Sequence, residues 1–171
     1  IFFKPSSAII GHGDAIVIPP QSKQVELEAE LTIVIGKLAK NISESEALDY
    51  VWGYTIANDV TARDLQFNDG QWARSKAFDT FCPLGPWIET EFLPESQVIE
   101  SRINGDTRQH VSISKMTHNI RSIVSYVSKN FSLLPGDIIL TGSPAGISVI
   151  ASGDVIECEI EGIGILANSV I

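Results

Sequence analysis

Glu26, Glu28 and Glu30 recur at alternate positions in Val-Glu-Leu-Glu-Ala-Glu-Leu-Thr-Ile-Val-Ile-Gly, leading into one of the most hydrophobic runs of the chain. Alternate residues of a strand share a face, so the carboxylates line up on one side while Val25, Leu27, Ala29, Leu31, Ile33 and Ile35 take the other. With a rise of about 3.3 Å per residue, neighbours in that row stand roughly 7 Å apart along the backbone. Two such side chains can bend onto one cation at oxygen bonds of about 2.1 Å, and an all-oxygen donor set suits magnesium or manganese. Like charges side by side favour protonation or a bound cation. A solvated outer face of a half-buried strand is the competing reading, because Asp and Glu are mostly exposed.

Three further segments carry polar chemistry. Asn58-Asp59-Val60-Thr61-Ala62-Arg63-Asp64-Leu65-Gln66 closes a strand containing Trp52, Tyr54 and Ile56. Asp59 follows the small residues Gly53, Thr55 and Ala57 on one face, which leaves room for a third oxygen ligand; a plain Asn-Asp turn is the alternative. Arg74, Lys76 and Asp79 lie among aromatic residues in an otherwise acidic protein. A lysine there can neutralise negative charge as it develops, or simply snorkel at a core edge. Leu-Thr-Gly-Ser-Pro-Ala-Gly at 140–146 offers backbone N–H groups and the Thr141 and Ser143 hydroxyls to a carboxylate or enolate oxygen, although many such loops are only turns.

The elements that must position these groups are mostly strands. Short β-branched runs separated by Gly, Pro and Asn predict strands over 15–18, 26–35, 52–60, 87–90, 98–103, 137–141, 154–160 and 164–168. Ser43 and Glu46 have the spacing of a capping box for a short helix through Tyr50. Ile120, Ile123, Val124, Val127 and Phe131 recur at helical spacing, and Pro135 ends that helix. Asn104-Gly105 is a hairpin turn signal. No repeat, low-complexity tract or linker divides the 171 residues, so one domain is expected.

Composition narrows the function classes. An apolar content of 44% and a mean hydropathy of +0.15 describe a chain with a real core. Twelve basic against 21 acidic side chains give a formal charge of -9, which repels phosphate backbones and argues against nucleic acid or an anionic membrane as partner. No segment reaches the roughly 20 apolar residues of a membrane span, so a cytoplasmic protein is expected. Cys82 and Cys158 are too few for a disulfide framework or a zinc motif and are expected as buried free thiols.

Glu-Leu-Glu-Ala-Glu-Leu, Gly-Tyr-Thr-Ile-Ala-Asn-Asp-Val-Thr-Ala-Arg-Asp, Lys-Ala-Phe-Asp-Thr-Phe-Cys-Pro-Leu-Gly-Pro, Leu-Pro-Gly-Asp-Ile-Ile-Leu-Thr-Gly-Ser-Pro-Ala-Gly and the closing Gly-Asp-Val-Ile-Glu-Cys-Glu-Ile-Glu-Gly-Ile-Gly occur in this order along nearly the whole chain. Together they resemble the fumarylacetoacetate hydrolase family, in particular its 2-hydroxyhepta-2,4-diene-1,7-dioate isomerases, acylpyruvases and oxaloacetate decarboxylases. The resemblance implies a β-rich α+β fold, a mixed β-sandwich roll with a few short helices, assembled as a homodimer. It implies Mg2+ or Mn2+ held by Glu28, Glu30 and Asp59, with Lys76 at the reacting centre and Arg63, Gln66 and Thr141 gripping the substrate. Glu26 then moves to the surface or to a place behind the ligands. The implied substrate is a small 2-oxo acid or dicarboxylate of the kind met in aromatic catabolism, isomerised, decarboxylated or hydrolysed through a chelated enolate.

Hydrolysis requires a base to activate water. In hydrolases of the family this is a histidine with a nearby glutamate, often on a mobile lid upstream of the Phe-Lys-Pro segment where this chain starts, so a lid is expected to be missing from the chain. His12, in a tight Gly-His-Gly loop, His110, after the hairpin, and His118, before the second helix, are poor replacements. A non-catalytic β-roll that binds a metabolite is the alternative function.

Overall fold

The apolar run that follows the acidic row is buried on both faces, and the sheets are arranged around it. The computed structural model describes residues 1–171. In chain order its strands are β1 (Ile9–Ile10), β2 (Ala15–Ile16), β3 (Val25–Leu27), β4 (Ala29–Ile35), β5 (Val51–Asn58), β6 (Thr61–Ala62), β7 (Cys82–Glu89), β8 (Val98–Ile103), β9 (Asp106–Ser112), β10 (Ile138–Leu140), β11 (Ser148–Val149), β12 (Val155–Ile160) and β13 (Gly164–Val170); the helices are α1 (Arg63–Asp69), α2 (Ala73–Lys76) and α3 (Ile120–Asn130).

Two five-stranded sheets, ordered β1-β7-β5-β4-β10 and β2-β13-β12-β8-β9, enclose the core, and a small sheet β11-β3-β6 joins them. The β1–β7 and β2–β13 pairs are parallel and the others antiparallel, so the architecture is the expected mixed β-sandwich roll. Leu31, Ile33 and Ile56 from one large sheet and Ile156, Ile160 and Leu166 from the other are at most 2% exposed and belong to one apolar cluster. Truncating any of them to Ala opens a cavity costing about 2–5 kcal/mol. β12 keeps the two-residue period, with Ile156, Cys158 and Ile160 buried between less buried neighbours.

Helix α3 forms where the spacing predicts it, capped by Asn119 Oδ1, which accepts from Ser122 N at 2.9 Å. The Asn104-Gly105 turn joins β8 to β9 with both residues at positive φ, as a tight hairpin needs. Cys82 and Cys158 are free and buried, as expected.

Four expectations are corrected. The single strand over 26–35 is two strands in different sheets, parted at Glu28, because the N–H groups of Glu28 and Ala29 are taken by the side chains of Asn58 and Gln109. The capping-box contact forms, with Ser43 N donating to Glu46 Oε2 at 3.2 Å, but it precedes only a 3-10 turn over Ala47–Tyr50. β7 starts at Cys82 rather than Trp87; it tolerates Pro86 because β1 covers only Cys82 and Pro83, leaving the rest of that side an edge. Helices α1 and α2 occupy a stretch read as strand end and loop.

Candidate metal centre

The parting at Glu28 builds the site. Glu28 N donates to Asn58 Oδ1 at 2.9 Å, and Asp59 N donates to Glu28 O at 2.8 Å, so the end of β5 is stitched to the gap between β3 and β4. Glu28, Glu30 and Asp59 are thereby turned inward, at 8%, 3% and 1% exposure, with one oxygen of each within 4.8 Å of the others. The solvated-face reading of the acidic row fails, since all three of its glutamates are buried.

Cations surround the carboxylates. Lys76, at the end of α2 and 2% exposed, places Nζ 2.5 Å from Asp59 Oδ2 and 2.9 Å from Glu28 Oε2, and 5.1 Å from the centre of the Phe2 ring. Lys4 Nζ is 2.6 Å from Asp59 Oδ1. At the start of α1, Arg63 engages all three guanidinium nitrogens, Nε donating to Glu26 Oε2 at 2.6 Å, Nη1 to Gln66 Oε1 at 2.5 Å and Nη2 to Glu28 Oε1, which leaves one further N–H on each terminal nitrogen. Burial opposes the guanidinium charge, but the Glu26 and Glu28 contacts outweigh it and hold its pKa above the usual arginine value.

Glu30 has no such ion pair and accepts only the Gly142 N–H, at 2.6 Å. Burial first, and then the Asp59 charge, raise its pKa to about 8. The donor set therefore fits a divalent cation: three converging buried carboxylates, all hard oxygen donors, one of them driven towards neutrality chiefly by burial and then by the Asp59 charge.

The remaining candidates separate. Thr141 Oγ1 donates to Leu31 O at 2.8 Å, beside the Gly142 that serves Glu30. Glu26 lies behind the triad rather than at the surface, buried between Arg63 and Gln24. Arg74 turns away to Asp69. His110 pairs with Glu100 on the other large sheet, and His12 accepts from Ala167 N; neither is bonded to the carboxylates. A cavity of about 1420 Å³ is walled by Phe2, Lys4, α3 and the loop after β10; Lys4 and Gly142 in its wall donate to the carboxylates of Asp59 and Glu30, and His118 also lines it. Sequence reasoning missed Lys4, for which a lysine between an aromatic pair and a proline was the available signal, and it missed Gln109; the 140–146 loop is singled out for its backbone N–H groups, one of which, on Gly142, serves the Glu30 carboxylate.

The mixed β-roll thus carries a buried cluster of three carboxylates, balanced by cations, that could hold a metal ion through oxygen. The whole chain, residues 1–171, matches the model of the fumarylacetoacetate (FAA) hydrolase C-terminal domain. It is 54% identical over 99% of its length to an uncharacterised protein of Methanocaldococcus jannaschii, of which it covers 72%, and 44% identical over its full length to the mitochondrial oxaloacetate tautomerase fahd2 of Xenopus laevis, of which it covers 57%. Among solved structures, 5-carboxymethyl-2-hydroxymuconate delta-isomerase from Mycobacterium smegmatis superposes with a TM-score of 0.97 at 46% identity, covering 98% of this chain and 67% of that one. Fumarylpyruvate hydrolase from Pseudomonas aeruginosa, in complex with Mn2+ and pyruvate, gives 0.93 at 31% identity, covering 98% and 76%. The chain belongs to the fumarylacetoacetate hydrolase family and spans roughly 57% to 76% of the length of these relatives.

Proposed function

We propose that the protein is a Mg2+- or Mn2+-dependent enzyme acting on a small 2-oxo acid or dicarboxylate through an enolate, by isomerisation, decarboxylation or hydrolytic C–C cleavage. The convergence of Glu28, Glu30 and Asp59 around Lys76 carries this proposal.

A divalent ion held by the three carboxylates supplies Lewis-acid polarisation of a carbonyl oxygen when bound. Lys76 Nζ would contribute positive charge where negative charge develops on that oxygen, or else shuttle a proton at the adjacent carbon. Arg63, its Nη1 fixed by Gln66, contributes the second charge to a substrate carboxylate, and Thr141 Oγ1 stays free to accept once it has donated to Leu31. Burial of the site strengthens each of these interactions relative to water.

In the same proposal residues 1–171 form one catalytic domain of a cytoplasmic homodimer. No helix of the structure is long and apolar enough to cross a membrane. Sedimentation tests the dimer, and a monomer at micromolar concentration would count against it.

The deciding experiment titrates oxalate, a mimic of a 2-oxo acid enolate, calorimetrically with Mg2+ and again after EDTA, followed by assays with oxaloacetate and acylpyruvates. Metal-dependent binding with turnover supports the enzyme. Metal-dependent binding without turnover of any of these substrates would favour the non-catalytic metabolite-binding roll, and no binding would remove the oxo-acid site.

A further inference from the structure

Gln109 is fully buried on β9, and its amide makes four hydrogen bonds. Oε1 accepts from Ala29 N at 3.1 Å and from Ser101 Oγ at 2.8 Å. Nε2 donates to Ser143 Oγ and to Pro144 O, each at 2.8 Å. Both lone pairs and both N–H groups are used, and a flipped amide would set its NH2 against the Ala29 N–H and its oxygen against the Pro144 carbonyl. The side chain therefore has one orientation.

Its partners lie on either side of the candidate site. Ala29 stands between Glu28 and Glu30, at the gap where the strand leaves one sheet for another. Ser143 and Pro144 directly follow Gly142, whose N–H is held by Glu30, and Thr141. The same loop presses on β9 at Gly146, where φ is +103° and a Cβ would collide with the Arg108 carbonyl. One amide from the opposite sheet thus ties the ligand-bearing strand to the loop that adjoins it.

We propose that Gln109 is a positioning residue that fixes the spacing between the Glu28–Glu30 pair and the Thr141–Pro144 loop, so that metal and substrate oxygens are held in one register. The proposal rests on the metal reading above for its purpose, but the coupling can be measured without metal. Gln109→Met keeps the volume and removes all four bonds. Ser101→Ala is the milder companion: Ser101 bonds to neither the carboxylates nor the loop, so an effect of it on both must pass through Gln109.

In metal-free protein, well below the melting temperature, hydrogen exchange followed by mass spectrometry should show faster exchange of segments 26–31 and 139–146 together in both variants, with α3 unchanged. Loading with Mn2+ should reveal affinity about tenfold weaker in Gln109→Met and two- to fivefold weaker in Ser101→Ala, with broadened Mn2+ EPR lines. Exchange that rises in only one segment or uniformly, or a lowered melting temperature with Mn2+ affinity and EPR lines unchanged, would reduce Gln109 to a packing residue. Should the parent bind no Mn2+, the metal reading falls while joint deprotection of the two segments still upholds the coupling.

Discussion

Lys76 Nζ lies 2.5 Å from Asp59 Oδ2, and the same ammonium reaches Glu28 at 2.9 Å, so one buried lysine holds together two carboxylates from different strand breaks, one between β3 and β4 and the other between β5 and β6. Removing one partner of a buried ion pair costs about 3–5 kcal/mol, because the other charge is left uncompensated. Lys76→Met should therefore lower the melting temperature in EDTA. Added Mn2+ should then stabilise the variant more than it stabilises the parent, since the ion takes over the neutralisation, while turnover stays at least 100-fold down. Melts with and without Mn2+ check this, and equal Mn2+-induced shifts in both proteins would contradict it.

Glu28, Glu30 and Asp59 should respond as one unit and Glu26 should not. Glu28→Ala and Asp59→Ala are expected to weaken Mn2+ binding at least 100-fold with the far-UV spectrum preserved. Glu26→Gln disturbs only the Arg63 and Gln24 contacts and should change Mn2+ affinity less than about fivefold. Undiminished turnover in Asp59→Ala would take the metal site out of the mechanism.

The acidic row and Asp59 were legible because alternation in a strand and small residues before Asp59 are local signals, and the ordered motifs pointed to the fold. The break at Glu28 was not. It depends on Asn58 and Gln109, 30 and 80 residues away, taking backbone N–H groups that a regular ladder would use. Helices α1 and α2 have seven and four residues and no side-chain cap, so neither carries a periodicity or a start signal. The alternation of Glu26 with its neighbours could not say that it faces Arg63, because Arg63 arrives on a helix the sequence did not reveal.

Arg63 makes three donor contacts to three different side chains, which a lysine cannot reproduce. Arg63→Lys should retain the charge yet lose the fork, lowering kcat/KM at least tenfold, mainly through KM if the guanidinium grips the substrate. Steady-state kinetics on whichever 2-oxo acid is turned over measures the split. A loss confined to kcat would instead place Arg63 behind Glu28 as a support for the metal ligand.

Away from the site, Glu100 offers a pH signature of the other large sheet. The Thr107 hydroxyl, donating at 2.8 Å, leads in holding its carboxyl below the usual glutamate value of 4.5; burial, the next influence, opposes it, and the His110 and Arg102 contacts add to the lowering. Because the folded pKa is lowered, the unfolded chain binds the proton first on acidification. The stabilisation is therefore fully present above the unfolded pKa and is lost as pH falls through the folded one. Glu100→Gln cannot titrate, so the gap between its melting temperature and that of the parent should be constant at neutral pH and shrink as pH drops below about 4.5. Turnover at neutral pH should stay within about twofold, since Glu100 and its partners are not bonded to the carboxylates of the candidate metal centre. A gap that widens on acidification would show that the Thr107, His110 and Arg102 contacts do not favour the ionised carboxylate.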